Sequence, residues 1–127
     1  MLDKNPLEVI YRLHDTINRG DIETILTLFE SEAIFVVGPR TFAVGTDGLR
    51  QTFEEILRSF PVLKTEKENV IEIGDIALVQ LQMDVIRHVT RCIFHLAGGY
   101  AFAALHRQLD GRWLVKIDNP LGAEILG

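Results

Sequence analysis

Apolar residues return every three to four positions near the start of the chain, with Val9, Ile10, Leu13 and Ile17 on one side and Glu8, Arg12, Asp15 and Arg19 on the other. That spacing predicts an amphipathic helix. Asn5 is placed to cap it, Pro6 suits its first turn, Glu8 stands three residues after the cap, and Gly20 ends it. Asp21 then caps a shorter helix that carries Ile22, Ile25, Leu26 and Phe29. The β-branched and aromatic run Ala33 to Val37, closed by Gly38-Pro39, reads as a buried strand. A third helix, capped by Thr46 or Asp47, turns Leu49, Phe53, Ile56, Leu57 and Phe60 to one face and stops at Pro61.

Beyond Pro61 the period changes from helical to alternating. Leu63 to Ile73 alternates in part, Gly74-Asp75 turns the chain, and Ile76 to Arg87 interleaves Gln80, Gln82 and Asp84 with Val79, Leu81, Met83 and Val85. Thr90 to Leu109 is long and apolar, broken by Gly98-Gly99 as a bulge, bend or hairpin turn. Asp110-Gly111 is a two-residue turn into a last strand from Trp113 to Asn119. Helices first and strands afterwards make an α+β layout, with three N-terminal helices on one face of an antiparallel sheet, in a single domain over residues 1–127.

With 47% hydrophobic and 24% charged residues in 127, the chain is an ordinary globular one. A net charge of -5 has the wrong sign for holding nucleic acid or an anionic membrane through bulk charge, so neither is expected as a partner. Cys92 is the only cysteine, which excludes an internal disulfide and suits a reducing, cytoplasmic setting. The first residues show no apolar signal core, and no stretch approaches the roughly 18 apolar residues of a membrane span, so the chain reads as soluble and complete.

Several local patterns resemble a known family. Gly20-Asp21, the short helix ending Leu28-Phe29 and the strand Ala33 to Val37 look like the opening of the nuclear transport factor 2-like superfamily. Gly74-Asp75-Ile76-Ala77-Leu78-Val79, then Arg107-Gln108-Leu109-Asp110-Gly111-Arg112-Trp113 and Asp118-Asn119-Pro120, resemble its SnoaL-like subgroup. The resemblance covers Pro6 to Asn119. It implies a cone: a strongly bent antiparallel sheet wrapped around three helices, with a cavity between them and a homodimer formed through the sheet. The scaffold hosts isomerases, dehydratases, cyclases, hydrolases and non-catalytic binders, so function must come from the site.

The steroid isomerase branch uses a Tyr and two Asp, whose positions fall on Leu13, Val37 and Ala104 in this chain. With no group there to move a proton, that chemistry is not expected. The polyketide-cyclase and hydrolase branches carry acid-base groups on the last strands, where His106 and Asp118 stand on consecutive strands of a hairpin. These two are the candidate catalytic pair, set against a reading as ordinary surface residues. Tyr11, Gln82, Asp84 and Phe102 are the candidate ligand contacts.

Two placements of the fourth strand's polar set stay open. In one, Gln80, Gln82 and Asp84 lie on the convex side and the cavity is greasy. In the other they line the cavity with His106, Lys116 and Asp118. His14, His88, His95 and His106 show no metal-ligand spacing, and Cys92 stands alone as an inert thiol, so neither metal nor cofactor is expected. His88 and His95 with Arg87 and Arg91 form a basic stretch that suits an edge strand or an anionic ligand. The functional expectation is a small-molecule-binding domain for a mostly apolar organic ligand, with cofactor-free acid-base catalysis. The alternative is a non-catalytic binding or assembly module with a vestigial cavity.

Overall fold

The computed structural model describes residues 4–58, 62–87 and 99–122. Helix α1 spans Pro6–Arg19, with Asn5 Oδ1 accepting from the Leu7 and Glu8 amides and Gly20 closing it in the left-handed region at φ 71°. Without a Cβ, glycine takes that conformation at no steric cost. Helix α2 is Ile22–Thr27, capped by Asp21 through the Thr24 amide. Phe29, expected on this helix, opens strand β1, Phe29–Gly38, instead. Its ring stands 5.8 Å from Phe53 and 6.5 Å from Phe35, so aromatic packing overrides the local helical spacing.

Strand β2, Thr41–Val44, has no counterpart in the sequence reading. Helix α3, Gly45–Leu57, starts directly from it, earlier than Thr46 or Asp47 would allow as caps, and without a side-chain cap. Strands β3, Val62–Ile73, β4, Ile76–Arg87, β5, Gly99–Arg107, and β6, Trp113–Asn119, follow. The turn between β5 and β6 is longer than Asp110-Gly111, since strand pairing stops at Arg107 opposite Trp113 and Gln108 N–H then donates to Arg112 O.

All six strands form one sheet in the order β2-β1-β6-β5-β4-β3. The sheet is mixed, a correction to the expected antiparallel one: β1 runs parallel to β6, and the other pairs are antiparallel. One face packs against the helices. Val9, Ile10, Leu13 and Ile17 of α1 and Leu49, Phe53 and Ile56 of α3 meet Phe35, Val79, Leu81, Leu105, Trp113 and Val115 in a single core. The architecture is α+β, with three helices on an open sheet. Among the described residues no helix is long and apolar enough to cross a membrane. Phe60, Pro61, His88, Arg91, Cys92, His95 and Gly98 lie outside the described residues.

Candidate functional site

Strand parity decides which polar groups meet. On β4, Ala77, Val79, Leu81 and Met83 are buried and face the helices, so Gln80, Gln82 and Asp84 point to the outer face. Of the two placements left open, the convex one is observed. On β5, Ala101, Ala103 and Leu105 are buried, which sends Tyr100, Phe102, Ala104 and His106 outward. Gln80 pairs across with Phe102, and Gln82 with Tyr100. These four, with Lys67 and Asn69 of β3, line a groove of about 420 Å³ on the outer face, where Asn69 Nδ2 donates to Gln80 Oε1 over 2.8 Å. Asp84 stands opposite Lys64 on the same face.

On β6 the alternation is interrupted. Leu105 pairs with Val115, but Ala104 pairs with Ile117 and Ala103 with Asp118, so Lys116 is an extra residue in a bulge. Trp113 and Val115 face the core, Ile117 faces out, and Asp118 returns to the inner side between Ala103 on β5 and Phe35 on β1. His106 and Asp118 therefore lie on opposite faces of the sheet. This corrects the expectation that they form a pair: the bulge reverses the parity of one of them and not of the other.

His106 has a different partner. Its Nδ1 lies 2.8 Å from Glu30 Oε2, which also accepts from Gln108 Nε2 at 2.9 Å, while Lys116 Nζ stands 3.4 Å from Glu30 Oε1. Glu30 is 18% exposed, and despite its burial these donors hold its carboxyl below the usual carboxylate range. Three donors thus converge on the two oxygens of Glu30, and the cluster reads as a clasp joining β1, β5 and β6. Sequence reasoning missed it because Glu30 and His106 are 76 positions apart.

Asp118 is the opposite case. Burial pushes its carboxyl up from 3.8 to about 7, and among the described residues no donor offsets that desolvation. The neighbouring inward positions on β5 are the small Ala101 and Ala103. A second ionisable group shifted by desolvation is the part-buried His14, whose protonation burial suppresses from 6.5 to about 4. It sits on the flank of α1 that faces β3, with Nδ1 3.5 Å from Thr65 Oγ1. Tyr11, one turn earlier, has its pKa raised by partial desolvation and then by the hydrogen bond its hydroxyl makes to Glu68. One turn later, Asn18 accepts from Leu63 N–H at 2.8 Å and donates to Leu63 O at 3.1 Å. Of the expected site residues, Asp118 is inward, Tyr11 sits on the α1 flank against β3, and His106, Gln82, Asp84 and Phe102 face outward. Among the described residues no three His, Cys, Asp or Glu converge as metal ligands would.

Solved structures share this fold. The chain is similar to a protein from Nostoc punctiforme with a cystatin-like fold, at 21% identity and a TM-score of 0.69, over 88% of this chain and 84% of that one. It is similar to a candidate aromatic ring hydroxylase from Novosphingobium aromaticivorans, at 17% identity and a TM-score of 0.75, over 91% and 85% of the two chains. A candidate dehydratase of the nuclear transport factor 2-like family from Streptomyces avermitilis superposes at 15% identity and a TM-score of 0.69, over 87% and 88%. No curated protein matches the chain. At these identities the likeness concerns the fold alone. The SnoaL-like domain family matches residues 10–114, and the chain belongs to that family.

Proposed function

We propose that the chain binds a small, mostly apolar organic molecule on the inner side of its sheet and exchanges a proton with it through Asp118, without a cofactor. The observation that carries this reading is a carboxyl on the helix-facing side, next to alanines, whose pKa stands at about 7. Near neutral pH such a group is present both as acid and as base. The acid form donates to a carbonyl or leaving hydroxyl, and the base form takes a proton from carbon or water. Isomerisation, dehydration, cyclisation and hydrolysis all draw on that pair of states. The names of the two similar structures, a hydroxylase and a dehydratase, belong to different reaction classes, so the proposal stops at proton transfer.

The test is a screen of apolar ketones and alcohols by amide chemical-shift perturbation on the labelled protein. Binders should move Phe35, Ala103 and Asp118 together. Shifts confined to Gln82, Tyr100 and Phe102 would place the ligand in the outer groove and refute the reading.

A second copy of the chain is the expected protein partner. Ile71, Leu78, Ala104, Ile117, Ile34 and Val44 face one another across adjacent strands on the outer side. At the spacing of paired strands they form an apolar row about 24 Å long. Ile71, Ile117 and Val44 are exposed. A row of this kind favours pairing with its own twofold copy.

A further inference from the structure

The groove on β3, β4 and β5 lies across the sheet from Asp118 and has a chemistry of its own. Its volume of about 420 Å³ suits a small organic molecule. Two cross-strand rows build it: Asn69, Gln80 and Phe102, then Lys67, Gln82 and Tyr100. In both rows β5 contributes an aromatic ring and β4 an amide, while β3 contributes an amide in the first and a cation in the second. Asn69 Nδ2 donates to Gln80 Oε1, which leaves the Gln80 N–H groups as donors. Gln82 and Tyr100 have no hydrogen-bond partner among the described residues, and Tyr100 is 63% exposed. The cation is uncommitted too. Lys64, three residues earlier, stands 3.8 Å from Glu66, whereas Lys67 has no ion pair among the described residues. Glu68 also borders the groove, but it pairs across with the buried Leu81, on the inner side of the alternation, and accepts from the Tyr11 hydroxyl of α1.

We propose that this outer groove is a second ligand site that binds a planar aromatic carboxylate, with its rings against Tyr100 and Phe102 and its carboxylate at Lys67 and the Gln82 amide. A lysine without a carboxylate partner at one end complements an anion, and the aromatic faces at the other complement a flat ring. A neutral ring leaves the lysine unused, and a compact anion such as phosphate leaves the aromatics uncovered. Length narrows the class further. Strand β4 separates β3 from β5, so the cationic side and the aromatic side stand about 10 Å apart, at about 4.8 Å per strand. A single benzene ring with its carboxylate falls short of that span, and two fused rings cover it. The site is independent of Asp118, and it begins one row beyond Leu78 and Ala104 of the apolar row, sharing no residue with it.

The test is a titration with 2-naphthoate and with 2-naphthamide, the same bicycle without the charge, followed at the Tyr100 and Phe102 amides of the labelled protein. Naphthoate should saturate these signals at lower concentration than naphthamide or benzoate, and leave Phe35 and Asp118 unmoved. Lys67→Gln should weaken naphthoate about threefold to fivefold, the scale of an exposed ion pair, and leave naphthamide within about twofold. Added salt should weaken naphthoate on the wild type and not on Lys67→Gln. Tyr100→Ala should weaken both ligands about twofold to tenfold, the loss of one aromatic contact. Both substitutions fall on exposed side chains, so the fold is kept. Absence of saturable naphthoate binding, or an affinity unaltered in Lys67→Gln, would overturn the assignment. Sedimentation with and without naphthoate supplies the last arm. Binding at unchanged mass supports the site, and binding only as copies dissociate would give the groove to the second copy and overturn it.

Discussion

Replacing Asp118 with Asn removes the charge and keeps the shape, so its effect on stability reads the cost of that carboxylate directly. In the unfolded chain the group titrates near 3.8, and in the fold near 7. A folded-state pKa raised above the unfolded one means that the fold holds the proton more tightly. Stability therefore falls as pH rises from about 3.8 to about 7 and is flat above that range. The gap corresponds to about 4 kcal/mol at full ionisation, on the scale of about 1.4 kcal/mol per pH unit. Asp118→Asn should thus be more stable than the wild type by several kcal/mol at pH 8 and by less than half of that at pH 5. Urea unfolding of both proteins at the two pH values measures this, provided the denaturant slopes agree. A difference that does not grow with pH, or a variant less stable than the wild type at pH 8, would refute the placement of the carboxyl in a desolvated site. A carboxylate kept at such a cost to the fold is what a working acid-base group looks like.

Other outcomes follow from neighbouring features. Glu30→Gln should destabilise the protein by about 1 to 3 kcal/mol at pH 7, because it strips charge from bonds to His106, Gln108 and Lys116. The carboxyl is held below its usual range, so that loss should vanish as pH falls through its folded pKa, seen as converging urea midpoints of variant and wild type in acid. Asn18→Ala leaves the Leu63 amide and carbonyl without their partner and should cost about 1 to 3 kcal/mol, with hydrogen exchange at Leu63 accelerated. Sedimentation should find a species of about 29 kDa, twice the 14.4 kDa chain, and Ile71→Lys with Ile117→Lys should convert it to monomer. A monomeric wild type at micromolar concentration would remove the twofold pairing.

The parts of the fold written in local signals were legible in the sequence. The cap, Pro6 and Gly20 around α1 and the strict alternation of β4 are short-range devices, and they stand where the pattern placed them. The α+β class and the family followed from them. What was not legible depends on partners distant in the chain. Strand β2 exists because Phe42 and Val44 find Val36 and Ile34, and Phe29 leaves its helix for the ring of Phe53. The site was half legible for the same reason. Asp118 was singled out as an ionisable residue on a terminal strand, but its separation from His106 hinges on one unpaired residue, and His106 finds Glu30 only through the parallel β1–β6 contact. His14 stands in the sequence only as one of four histidines without metal-ligand spacing, since a histidine on a helix flank carries no mark of what the facing strand will offer it.

The Lys116 bulge works as a change of phase in the last strand. Upstream of it the odd-numbered residues Trp113 and Val115 look inward, and downstream the even-numbered Asp118 does. Threaded without the bulge, Lys116 would take the next outward place, carrying Ile117 into the core and Asp118 to the outer surface. The inner side would become wholly aliphatic there and lose its acid, and the outer row would gain a charge in its centre. Removing Lys116 altogether would instead leave Ile117 opposite Ala104 and Asp118 opposite Ala103, each on the side it already takes. The side on which the acid stands is thus set by the threading of one residue against β5, and a slip of the ladder there would switch chemistry and assembly together with no substitution in either site.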